Sequence, residues 1–210
     1  MFQKHHLTTL LMLLAPVVLL VLLTEILDVR LFTRIATILN INLILVLGLQ
    51  IFTGNSGILS FAHIGWMGIG AYTSAVLSMP ERMKGMALPD LYPVLQTVEI
   101  DPVLGIIAGG LFAALVSAAI AWPLMRLSDA AAVITSFALL VILHTVMVHW
   151  SAVTNGPRTL FGVVNATNLY GASSCAAIAI VAALWFKESR VGVLLRAIRN
   201  DEVAAEAIGA

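Results

Sequence analysis

Charge is scarce in this chain. Only 10% of its 210 residues are Asp, Glu, Lys or Arg, against about 25% in an ordinary soluble domain. With 60% hydrophobic residues and a mean hydropathy of +1.03, it cannot cover itself with a water-facing surface. The net charge is zero, so no global field draws in nucleic acid. A single cysteine, Cys175, excludes an internal disulfide framework. Its small, apolar neighbours predict an inert, buried thiol.

The groups that chemistry needs are missing as well. There is no Gly-x-x-x-x-Gly-Lys-Ser/Thr phosphate loop, so any energy-coupled work requires ATP held by another chain. His144 and His149 lie roughly 140° apart around a helix axis, and no carboxylate or cysteine sits beside them. Neither a metal site nor a cofactor is expected. Ser60 and His63 have no third orienting group and no oxyanion hole, so no catalytic residues are assigned and an enzyme is not expected. Asp129 is the one acid placed deep between apolar segments, and it follows Arg126 in a short turn. A loop charge there, solvated or paired, counts against a proton-driven carrier, which needs buried ionisable groups.

What the chain does have is long apolar runs. Leu7–Leu23, Ile35–Phe52, Leu59–Met79, Pro102–Met125, Ala130–Trp150 and Leu169–Phe186 each approach the roughly 20 residues that cross a bilayer as a helix. The fold class expected is all-α, a polytopic membrane protein of about six spans with a helix–turn–helix at its end. Lys4 ahead of the first run resembles a signal peptide, but the run is long and no small-x-small cleavage pattern follows, so it reads as an uncleaved span. Pro16 inside it is tolerated at membrane depth. Thr24–Arg34 and Ser151–Asn168 read as moderate loops, Leu127–Asp129 as a tight turn, and the proline-rich Pro80–Asp101 as an ordered external loop.

Orientation is weakly encoded. With the tail inside, Lys4, Arg126, Lys187, Arg190, Arg196 and Arg199 are cytoplasmic, whereas Arg30, Arg34, Arg82, Lys84 and Arg158 are external. That near-balance leaves the positive-inside rule little to act on, and a re-entrant segment would change the parity.

The segment from Gly54 to Leu77 is rich in small residues. Gly54-Asn55-Ser56-Gly57 is a turn signal. Gly65, Gly68, Gly70, Ala71, Ser74 and Ala75 follow, and small-xxx-small spacing such as Gly70 to Ser74 lets helix backbones approach closely. Tight packing is one reading. The other is a substrate path lined by Asn55, Ser60, His63 and Tyr72, because intramembrane polar groups tend to face an interior or a cavity. Asn40, Asn42 and Gln50 do not share one helical stripe and are candidates for interhelical hydrogen bonds.

The densest charge lies at the end, in LLRAIRNDEVAAEAIGA, Leu194 to Ala210. As one helix this segment opposes its own macrodipole. As two helices broken at Asn200 it is consistent. Arg196 and Arg199 then close the first helix, Asn200 caps the second, Asp201 and Glu202 fill its first turn, and Gly209 ends it. Val191, Leu194, Leu195 and Ile198 give the first helix an apolar side for the bundle. Val203, Ala204, Ala205 and Ala207 give the second a small-residue surface.

RVGVLLRAIRNDEVAAEAIGA resembles the cytoplasmic coupling loop of permease subunits in ABC importers, with Glu206-Ala207-Ile208-Gly209 as its EAA-type motif. GILSFAHIGWMGIGAYTSAVL resembles the glycine-rich helix of branched-chain amino acid importers, most clearly at Gly68-Ile69-Gly70-Ala71-Tyr72. Thr154-Asn155-Gly156-Pro157 stands where that family has a Thr-Gly-Gly-like loop, with Asn155 departing from the first glycine. The wording of the tail is closer to the LivM-type subunit than to its LivH-type companion.

The resemblance implies a bacterial inner-membrane, multi-pass permease for branched-chain amino acids or small polar solutes such as urea and amides. It implies a pore shared with a second permease subunit, a periplasmic substrate-binding protein outside and two ABC ATPase subunits inside. Residues 1–187 would be the bundle and 188–210 the coupling helices. Arg196, Arg199, Asp201, Glu202, Glu206 and Gly209 would make the ATPase contact. Family members continue beyond this loop, so the expectation is a chain cut short after it, unable to transport alone. The rival classes are a secondary transporter or channel that needs no ATPase, a membrane enzyme, and a non-transporting scaffold.

Overall fold

The computed structural model describes residues 2–124, Leu127, residues 129–201 and Ala205, with the side chains of residues 2–7 and Asp129 left aside. The described residues are helical or irregular, with no strand among them. The chain divides into two compact units, Met1–Leu59 with Thr167–Ala210, and Ser60–Ala166.

The first unit holds α1 (Phe2–Leu27), α2 (Arg30–Ser56), α9 (Leu169–Glu188) and α10 (Arg190–Asn200). Helices α1 and α2 run longer than their apolar cores, because Glu25, Arg30 and Arg34 are compatible with helix and continue it into polar surroundings. The expected loop Thr24–Arg34 therefore shrinks to a turn at Asp28 and Val29, where Asp28 takes φ 44°, a left-handed conformation that Asp tolerates. Pro16 is carried inside α1.

Helices α2 and α9 pack against each other and share a buried polar contact. Asn40 Nδ2 donates to Ser173 Oγ at 3.1 Å and to Ala36 O at 3.0 Å. Asn40 thus makes the interhelical bond expected of it, while Asn42 and Gln50 are exposed. Tyr170 OH donates to the Glu25 carboxylate and ties the start of α9 to the end of α1. Cys175 is exposed, not buried as expected: Ala172, Ser173 and Ala176 occupy the packed side of α9, and Cys175 falls outside that side.

The second unit holds α3 (His63–Ser78), α4 (Glu81–Ala87), α5 (Pro93–Gln96), α6 (Pro102–Leu124), α7 (Asp129–His149) and α8 (Ser151–Thr154). Helix α3 packs on α6 and on α7, and small residues allow both approaches. A Cβ at Gly109 of α6 would stand 2.5 Å from Gly70 O and 3.2 Å from the Ser74 Cβ, so glycine is required there for the backbones to meet. Gly65 and Gly68 receive Leu143 and Met147 of α7.

The segment between α3 and α6 builds a small core. Val76, Met79, Ala87, Leu88 and Leu91 are buried together, with Met83, Leu95, Val153 and Leu160 packed around them. Ile100 N donates to Leu77 O at 3.1 Å and closes the segment back onto α3.

Among the described residues five helices are long and apolar enough to cross a membrane: α1, α2, α6, α7 and α9. The expected span Leu59–Met79 falls short. Helix α3 has 16 residues, about 24 Å at 1.5 Å per residue, against a hydrocarbon core of about 30 Å. The chain leaves helix at Gly57 and resumes it at His63, which removes about the first turn of the anticipated span. Large apolar side chains such as Leu115 (70% exposed), Ile134 (71%) and Trp185 (76%) point outward. In water such surface is a liability; against lipid tails it is matched. The protein is an all-α, multi-pass membrane protein.

Candidate functional site

The charged tail begins at a capped corner. Ser189 is extended, at φ −67° and ψ 159°. Its hydroxyl donates to Phe186 O at 2.7 Å and accepts from Gly192 N at 3.2 Å, closing α9 and opening α10 with one side chain. Helix α10 is amphipathic and packs on α2 and α9. Leu195 and Ile198 are half-buried there, whereas Val191 and Leu194 remain exposed, so only part of the expected apolar side rests on the bundle.

Two of the three arginines of α10, Arg196 and Arg199, turn toward helix C-termini. Arg196 Nη2 donates to Lys187 O at 2.6 Å, and its Nε to Gly192 O at 3.2 Å. Arg199 Nη1 donates to Gly54 O at 2.6 Å. The last carbonyls of a helix have no partner within it and carry the negative end of its dipole. Each guanidinium therefore sits where a cation is stabilised, one at the end of α9 and one at the end of α2.

The helical break falls one residue later than expected. Asn200 is the last residue of α10. Asp201 is extended, at φ −159° and ψ 105°, and its carbonyl accepts from Ala205 N at 3.0 Å, the first bond of a new turn. Asp201 thus stands in the cap position assigned to Asn200, because the Asp201 N–H still bonds back to Ala197 O at 3.1 Å and keeps Asn200 inside the first helix. Ala205 is buried. Glu202, Glu206 and Gly209 lie outside the described residues.

The residues proposed for a path divide between the units. Asn55 lies in the last turn of α2, buried, with Nδ2 donating to Ile51 O at 2.8 Å. Ser60, His63 and Tyr72 belong to the second unit and are half-buried. His63 and Tyr72 are nine residues apart on α3, about 180° around its axis. His63 shares the stripe of Gly70 and Ser74, which meets α6; Tyr72 shares that of Gly65, which meets α7. The small residues between them serve close packing, and one stripe of α3 does not hold both polar groups. Beside Ser60, Phe61 N donates to Ser136 Oγ at 3.2 Å, and the Phe61 ring meets Phe137 edge-on at 5.9 Å.

The Thr154-Asn155-Gly156-Pro157 turn keeps a tight shape despite the asparagine. Asn155 takes φ 63° and ψ 12°, the left-handed region that asparagine enters more readily than most residues, and Gly156 follows at φ 63°. Thr154 Oγ1 donates to Trp150 O at 2.9 Å, and Gly156 N donates to Thr154 Oγ1 at 3.3 Å.

Two features were passed over at the level of sequence. Gly105-x-x-x-Gly109 in α6 is the partner of the small residues in α3, and its spacing was the available signal. Lys84 is completely buried in the 80–101 segment, with Nζ donating to Leu95 O at 3.0 Å and to Val98 O. Burial pushes its ammonium below the usual lysine range, while the Glu99 and Glu81 carboxylates push the other way. A single lysine among Met83, Met86 and Leu88 gave no pattern that marks it as buried.

A family model described as branched-chain amino acid transport system, permease component, matches residues 31–210. No curated protein and no solved structure matches the chain.

Proposed function

We propose, for a chain that belongs to the family of branched-chain amino acid transport permease components, that it forms part of the translocation pore of an ATP-driven importer. As a permease component it is a transport subunit and works with partner subunits. The cargo proposed is branched-chain amino acids or related small polar solutes such as urea and amides. The proposed partners are ABC ATPase subunits, a second permease subunit forming a heterodimer, and a periplasmic substrate-binding protein, in the inner membrane of a bacterium.

On this reading residues 1–187 are the bundle and residues 188–210 the coupling element. Arg196 and Arg199 seat α10 on the bundle, and Asp201, Glu202, Glu206 and Gly209 offer the ATPase its contact. Asn55, Ser60, His63 and Tyr72 are the proposed polar groups of the path. The observation that carries the reading is the family match, which runs through the charged tail to residue 210. The docking of α10 by two arginines at helix ends gives that tail a rigid base, as a coupling element requires.

The test is uptake of labelled leucine, and of urea in parallel, into proteoliposomes holding this chain with candidate ATPase, permease and binding-protein partners. Uptake that requires ATP and is abolished by Glu202→Lys supports the proposal. Flux that persists without ATP, or without any partner chain, would assign the protein to secondary transport or channel activity instead.

A further inference from the structure

The geometry points to Arg199 as a positioning residue that ties the coupling element to α2, delivering movement of α10 to the chain break at Gly57. The inference rests on the ATP-driven importer reading for its transport consequence. The tie itself rests on the contacts alone.

Helix α2 ends with its backbone groups closely assigned. Thr53 O accepts from Gly57 N at 2.9 Å, and Gly54 O accepts from Arg199 Nη1 at 2.6 Å. Ser56 Oγ donates to Phe52 O at 2.8 Å and accepts from Ile58 N at 3.2 Å. Gly57 takes φ +79°, and a Cβ built on it would stand 2.5 Å from Arg199 Cγ and 2.9 Å from Cδ. The arginine stem therefore crosses the surface that Gly57 leaves open, and its head caps the carbonyl three residues earlier. Glycine serves there twice, for the left-handed turn and for the passage of the stem.

At its other end α10 is held to the exit of α9 by Arg196. That contact spans nine residues and forms with the local corner. The Arg199 contact spans 145 residues and joins α10 to a helix from the other end of the chain. Helix α10 is thus a short bar pinned at two helix ends. A pull on the segment after Asp201 reaches α2 through a charge-assisted hydrogen bond, which is more directional than the partial apolar seating of Leu195 and Ile198.

The experiment uses the assembled complex of both permeases, ATPases and binding protein in proteoliposomes, reading substrate moved per ATP hydrolysed. Arg199→Ala and Gly57→Ala should each lower that ratio about tenfold, the scale of one lost charge-assisted hydrogen bond. Arg199→Lys should recover part of it, since an ammonium can still donate to Gly54 O. An unchanged ratio in Arg199→Ala overturns the proposal. So does an Arg199→Ala complex that sheds its ATPases while Gly57→Ala behaves normally, because that assigns Arg199 to the ATPase surface.

Spin labels at Phe52 and Val193, both exposed, read the tie without transport. Their distance distribution should broaden in Arg199→Ala, and an unchanged distribution refutes the tie. A broadened distribution beside wild-type complexes with no ATP-dependent uptake refutes the importer reading instead.

Discussion

Replacing Lys84 by methionine sets two physical effects against each other. Methionine keeps an apolar stem of similar reach at this buried position. The buried ammonium disappears, and with it the cost of desolvating a charge. The carbonyls of Leu95 and Val98 lose their donor, and each partly buried carbonyl left unpaired costs about 1–3 kcal/mol. Both carbonyls lie in the stretch that returns the chain toward the bond from Ile100 N to Leu77 O. The orphaned carbonyls outweigh the relief, and a net loss of about 2 kcal/mol is expected. The loss is local, because the lysine bonds only within the 80–101 segment. Hydrogen exchange of peptides covering 80–101 in nanodiscs should therefore quicken by about 30-fold, with peptides from α6 and α7 unchanged. Equal or slower exchange in Lys84→Met would refute the reasoning and show that the segment holds its lysine at a net cost.

The pH dependence of the same segment follows from the lowered Lys84 pKa. The unfolded segment keeps its proton up to about the ordinary 10.5, whereas the folded one releases it earlier. Between those two values the unfolded state binds more protons, so stability rises with pH there and is flat below. Exchange rates corrected for intrinsic pH dependence should show the rise in wild type and not in Lys84→Met. Gly109→Ala places a Cβ 2.5 Å from Gly70 O and should destabilise the α3–α6 pair by about 1–3 kcal/mol. Gly110→Ala, with nothing within 4 Å, should be neutral or stabilising by up to about 1 kcal/mol, and thermal unfolding in detergent separates the two. Ser173→Ala removes the acceptor of the Asn40 bond and should cost about 0.6 kcal/mol, the average for interhelical hydrogen bonds in membranes, measured by denaturant titration in mixed micelles.

The sequence by itself determined the all-α, multi-pass class, because runs of about 20 apolar residues admit few other structures in a bilayer. It also determined the break near Asn200, which the structure sets one residue later, since capping and dipole rules act over a few neighbouring residues. Local rules could not reach further. Whether Leu59–Met79 crosses as one helix depended on where the backbone turned at Gly57, and Arg199 lies across that glycine from 142 positions away. Whether small residues packed or lined a path depended on what met them, and Gly105 and Gly109 of α6 met Gly70 and Ser74 of α3. The arginines of the tail were legible as helix-closing cations. That one of them closes α2 was decided by tertiary structure, because the carbonyl it caps belongs to a helix that no local pattern connects to it.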